Sequence, residues 1–128
     1  MFGVLIVDDH AGFRASVSTV LRQQFPRIGV EEAGDGPEAL RVIQGRGTDI
    51  VLLDIKLPNG NGLELTKAIK TEYASVIVVI LTGYDLPQYR QAAFRNGADC
   101  FLYKGSPSCM HDVVARVEGA IFARQEAL

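Results

Sequence analysis

The chain is 128 residues long, 48% apolar and 22% charged, with a formal net charge of −2. That is the size and balance of one globular domain able to bury a core without disulfides or structural zinc, and it excludes disorder over most of the chain. No run of like charges exceeds two residues, which argues against a general nucleic-acid surface.

Five short apolar runs recur along the chain, at residues 3–7, 28–33, 50–53, 76–81 and 100–103. They are rich in Val, Ile and Leu, as strands of a buried parallel sheet are. Helical spacing follows each. Phe13, Val17, Val20 and Leu21 share one face, and Ala39, Leu40 and Ile43 another, after the start signal Asp35-Gly36-Pro37-Glu38. Leu65, Ile69 and Tyr73 follow the turn Pro58-Asn59-Gly60-Asn61-Gly62. A fourth helix runs from Leu86-Pro87 to the left-handed cap Asn96-Gly97, and a fifth is expected to start at Ser106-Pro107 and carry Val113, Val114, Val117 and Ile121. The pattern predicts an α/β fold, (βα)5, in one domain over 1–128: a doubly wound, five-stranded parallel sheet with helices on both faces. The first run stops at two aspartates and the fourth is too short to cross a bilayer, so no signal peptide, anchor or membrane contact is expected and a cytoplasmic protein is. Cys100 and Cys109 form neither a disulfide framework nor a zinc site, and Cys100 reads as a small core hydrophobe.

In an open α/β sheet, ligands bind beyond the carboxyl ends of the strands. The first run ends in Asp8-Asp9, the third in Asp54, the fourth in Thr82-Gly83 and the fifth in Lys104-Gly105. Three carboxylates in one layer repel unless a cation joins them, and hard oxygen ligands suit Mg²⁺, with Mn²⁺ an acceptable substitute. One carboxylate could then attack phosphorus and become an aspartyl phosphate, with Lys104 and the metal supplying positive charge and Thr82 a donor. Asp8 and Asp9 as mere helix caps is the plainer reading of that pair alone, but it leaves Asp54 and Lys104 unexplained.

The segments Val4-Leu5-Ile6-Val7-Asp8-Asp9-His10, Asp54-Ile55-Lys56-Leu57-Pro58 with Gly62, Leu81-Thr82-Gly83, and Phe94-Arg95-Asn96-Gly97-Ala98 leading to Tyr103-Lys104 occur in that order. Together they resemble the receiver domain of bacterial two-component response regulators over essentially the whole chain. The resemblance implies the flavodoxin-like strand order 2-1-3-4-5. It makes Asp54 the phosphoacceptor, charged by a sensor histidine kinase, a phosphotransfer protein or a small phosphodonor. Asp9 and Asp54 would bind the metal directly, Asp8 through water and Lys56 through its backbone carbonyl. Thr82 would follow the phosphoryl group inward, and Phe101 would change rotamer with it, biasing a surface made by the fourth helix, fifth strand and fifth helix. Lys56 and Tyr84 would flank the path of water to the phosphoryl group, with bulky Tyr84 shielding it. Gly105 stands where many receivers have proline, so the cis peptide of such loops is not expected.

The resemblance also implies a switch that catalyses only its own phosphorylation and dephosphorylation. A haloacid dehalogenase-type phosphatase wants Asp-x-Asp after the first strand, where position 10 is His, and a flavodoxin-like carrier wants hydroxyls there. A receiver that works without phosphate fits poorly with a complete acid set. Asp8-Asp9-His10 with Phe13-Arg14 is similar to regulators with a C-terminal helix-turn-helix. None follows Leu128, so DNA is expected only through an output domain absent from this chain, whether a stand-alone regulator or part of a longer one. A homodimer is a further expected partner. His10 is read as a surface residue, Phe94 and Tyr89 as partly exposed, and Arg90 and Arg95 as a solvated face.

Overall fold

Both the 4–7 and the 50–53 segments are buried at every position, a burial that only central strands sustain. The computed structural model describes residues 1–45 and 47–126. Strand β1 (Gly3–Val7) leads to helix α1 (Ala11–Gln24), then β2 (Gly29–Ala33), α2 (Gly36–Gly45) and β3 (Ile50–Leu53). A two-residue hairpin, β4 (Lys56–Leu57) and β5 (Gly60–Asn61), precedes α3 (Gly62–Glu72), β6 (Ile77–Thr82), α4 (Pro87–Arg95), β7 (Cys100–Tyr103) and α5 (Cys109–Glu126). The main sheet runs β2-β1-β3-β6-β7 with all neighbours parallel. Counting main-sheet strands alone, this is the expected order 2-1-3-4-5.

Strand periodicity divides the core in two. Leu5, Val7, Val51, Leu53, Val78, Ile80 and Phe101 pack on the side of α2, α3 and α4. Val4, Ile6, Ile50, Leu52, Val79, Leu81 and Cys100 pack on the side of α1 and α5. Edge strand β2 is only half-buried, and its Glu31 and Glu32 keep that edge charged. Burial raises both cysteine thiols above their ordinary value, so Cys100 and Cys109 are packing residues.

Some boundaries differ from the pattern. The hairpin at 56–61 was expected only as a turn; Asn59 (φ 61°) and Gly60 (φ 139°) supply the left-handed conformations that fold it back. The fifth helix starts at Cys109, because residues 106–108 form a tight turn in which the Ser106 carbonyl accepts the Cys109 N–H and its Oγ accepts the Ser108 N–H. Tyr73 is the C-cap of α3 and lies just beyond it. The Asn96-Gly97 stop behaves as expected, with Gly97 at φ 101°.

Gly62 opens α3 and donates its N–H to the Ile55 carbonyl at 2.7 Å. A Cβ there would sit 2.0 Å from the Asp54 carbonyl oxygen, so only glycine lets α3 approach the end of β3. Gly62→Ala is expected to cost about 1–3 kcal/mol in urea unfolding, by forcing the Asp54 peptide away from the helix.

Candidate functional site

The ladder hydrogen bonds continue one residue past the strands. Asp8 donates its N–H to Ala33 (3.1 Å), Asp54 to Val7 (3.0 Å) and Lys104 to Thr82 (2.8 Å). Each functional residue is thus held by the sheet itself. Asp8 and Asp54 are buried, Asp9 is exposed, and one oxygen from each of the three carboxylates lies within 4.8 Å of the others.

Lys104 reaches into this cluster. Its Nζ donates to Asp8 Oδ2 at 2.6 Å and to Asp54 Oδ2 at 3.0 Å. Burial alone would depress the lysine, but the hydrogen bonds and charges of Asp8 and Asp54 outweigh it and raise the ammonium above its ordinary value. The stabilisation from this pairing is fully present below the unfolded lysine value and lost as pH climbs through the raised one, so the bridge is intact at neutral pH. Asp54 Oδ1 also accepts the Ile55 N–H at 2.7 Å, and Asp8 Oδ1 that of His10 at 2.9 Å. His10 is the exposed N-cap of α1 and makes no side-chain capping bond.

Thr82 is fully buried, and its Oγ1 accepts the Tyr84 N–H at 3.3 Å. Lys56 and Tyr84, following different strands, meet: the Lys56 Nζ lies 4.9 Å from the centre of the Tyr84 ring. Tyr84 is 40% exposed and stands edge-on to Tyr89 at 6.0 Å. Phe101 is buried, with the Arg90 guanidinium 4.6 Å over its ring. Arg90 is therefore not simply a solvated charge: it also pairs with Asp85 at 3.3 Å and ties α4 to Phe101. Phe94 is exposed and Tyr89 half-buried. No peptide among the described residues is cis. A Cβ on Gly105 would lie 2.3 Å from the Tyr103 ring, which occupies the space that any other residue would fill.

Two residues that sequence reasoning gave no role complete the surroundings. The Phe13 ring faces the Lys104 ammonium at 4.3 Å. Arg14 bonds the Asp8 carbonyl oxygen and pairs with Glu32 at 3.1 Å. Both lie in the first turn of α1, where nothing in local sequence tells that the helix leans over the strand ends.

The fold and the site define a class: a parallel five-stranded α/β domain with an acid cluster and a bridging lysine at the carboxyl ends of its strands. The sequence profile described as "Response regulator receiver domain" matches residues 4–117, and the chain belongs to that family. It is 33% identical over 105 residues to the oxygen regulatory protein NreC of Staphylococcus carnosus, covering 81% of this chain and 48% of that protein. It is 31% identical over 101 residues to the transcriptional regulatory protein DegU of Brevibacillus brevis, covering 79% of this chain and 43% of that one. The chain thus spans about half the length of these relatives. A CheY-like receiver domain structure from Methanospirillum hungatei JF-1 superposes with a TM-score of 0.87 at 24% identity, over 100% of this chain and 99% of that chain, and shares the fold. The domain is a phosphoacceptor signalling switch, and its acid cluster is compatible with a divalent metal. No helix among the described residues is long and apolar enough to cross a membrane.

Removing Lys104 leaves two buried carboxylates facing one another. Lys104→Met should therefore lose about 1–3 kcal/mol at neutral pH in denaturant titration, a value reduced from that of a fully buried pair because the lysine is partly exposed. Added Mg²⁺ should recover more stability in this variant than in the parent chain.

Proposed function

We propose that Asp54 is the residue that receives the phosphoryl group, with Mg²⁺ bound beside it by Asp8, Asp9, Asp54 and the backbone carbonyl of Lys56. The observation that carries this is the Lys104 bridge: it joins Asp8 and Asp54 in one buried cluster that already accommodates a cation. Bound Mg²⁺, or Mn²⁺ in its place, would neutralise the acids and the transferring phosphoryl oxygens. A carboxylate oxygen of Asp54 attacks phosphorus, an O–P bond forms, and the donor's bond to phosphorus breaks with its electron pair leaving on the donor. Lys104 turns its ammonium to a phosphoryl oxygen, and the Thr82 hydroxyl donates to another. That inward movement of Thr82 frees the space that sets the rotamer of Phe101. Through Arg90 the change reaches α4, shifting the surface made with β7 and α5.

The donor in this reading is a sensor histidine kinase, a phosphotransfer protein or a small acyl phosphate, and the domain works in the cytoplasm, as is typical of its family. The name of DegU, a transcriptional regulatory protein, favours transcription as the regulated process, through a DNA-binding output segment or a partner carrying one. The domain turns over no external substrate: it catalyses only its own phosphorylation and dephosphorylation.

Incubation with Mg²⁺ and acetyl phosphate should add a single phosphoryl group to the intact mass, labile in base and absent from Asp54→Asn. An adduct that persists in Asp54→Asn would move the acceptor elsewhere. Tyr84→Ala, which removes the ring that Lys56 packs on, should shorten the lifetime of the phosphoryl group several-fold when its loss is timed after removal of the donor; an unchanged lifetime would reject the shield.

A further inference from the structure

We propose that Arg14 is a positioning residue for the metal-binding acids: its guanidinium fixes the peptide between Asp8 and Asp9 and so aims the carboxylate of Asp9. The inference rests on the divalent-metal reading of the acid cluster. Asp8 is fastened on all sides, by its N–H to Ala33, by Oδ1 to the His10 N–H and by Oδ2 to Lys104. Asp9 is not. It lies in the bend between β1 and α1, is exposed, and has no side-chain partner among the described residues. No side-chain partner therefore holds it, and it is the backbone that sets where its Cβ stands and which rotamers reach the cluster.

A peptide unit is planar, so fixing the carbonyl oxygen of Asp8 also fixes the plane that carries the nitrogen and Cα of Asp9. Arg14 Nη1 makes that bond, while Nε anchors the same guanidinium to Glu32 on β2 at 3.1 Å. The Arg14 side chain is only 19% exposed, so it is built into the loop and does not wave in solvent. A guanidinium suits the task because its planar fork holds its two partners in a fixed geometry, whereas an ammonium on a flexible stem is a point charge that does not set their orientation.

Charge alone predicts the opposite effect. A cation beside an acid cluster repels Mg²⁺, so its removal should tighten binding, and its replacement by lysine should change nothing. Positioning predicts weaker binding in both cases.

The experiment is a calorimetric titration of MgCl₂ into the whole chain as parent, Arg14→Lys and Arg14→Met, with thermal melts in the absence of Mg²⁺ to confirm folding. Both variants are expected to raise the Mg²⁺ dissociation constant, Arg14→Lys by roughly tenfold, as for other residues that orient metal ligands. Parent-like affinity in Arg14→Lys, or tighter binding in Arg14→Met, would overturn the proposal and leave the metal site intact. Should Arg14→Met fail to fold, Arg14→Lys decides alone. Absence of Mg²⁺ binding by the parent would overturn the site reading and this proposal together.

Discussion

Two buried carboxylates at the ends of neighbouring strands repel one another, and the Lys104 ammonium is the positive charge that joins them. Much of the local architecture serves this bridge. Strands β1 and β3 place Asp8 and Asp54 in register, and β7 delivers Lys104 from across β6. Phe13 faces the ammonium, while Gly62 lets α3 close against the peptide of Asp54. The bridge holds the acids together as one cluster whose oxygens lie close enough to be compatible with a divalent ion.

The sheet also separates chemistry from response. Alternation along β1 and β3 carries Asp8 and Asp54 on in phase with Val4, Ile6, Ile50 and Leu52, towards α1 and α5. On β6 and β7, Ile80 and Phe101 belong to the opposite side, where α4 packs, and Thr82 continues their phase. Thr82 thus lies in phase with the face on which α4 packs and Arg90 covers Phe101.

The five main strands, their order by resemblance, and the acids and lysine at their ends were legible because four of the five apolar runs are cut off abruptly by a charged or hydroxyl residue, the second ending instead at Ala33-Gly34. Helix starts were less so. Ser106-Pro107 looks like a helix entry, yet the Ser106 oxygens are spent on the Ser108 and Cys109 amides, and the helix waits for Cys109. The β4–β5 hairpin is too short for any periodicity. Phe13 and Arg14 read as ordinary positions of an amphipathic helix, and Arg90 as surface charge. Their contacts join elements far apart in sequence, so they depend on how α1 and α4 lean against the sheet, which no local pattern records.

The seat that Gly105 provides for the Tyr103 ring has a consequence for the surface around the lysine. A side chain at 105 would meet the far end of the Tyr103 ring, and because that ring is partly exposed it would have to swing outward to make room. Because Lys104 lies between them, such a change would reshape the surface beside the lysine. With glycine at 105, the ring instead lies against the loop that follows the lysine, and the surface beside the ammonium is aromatic.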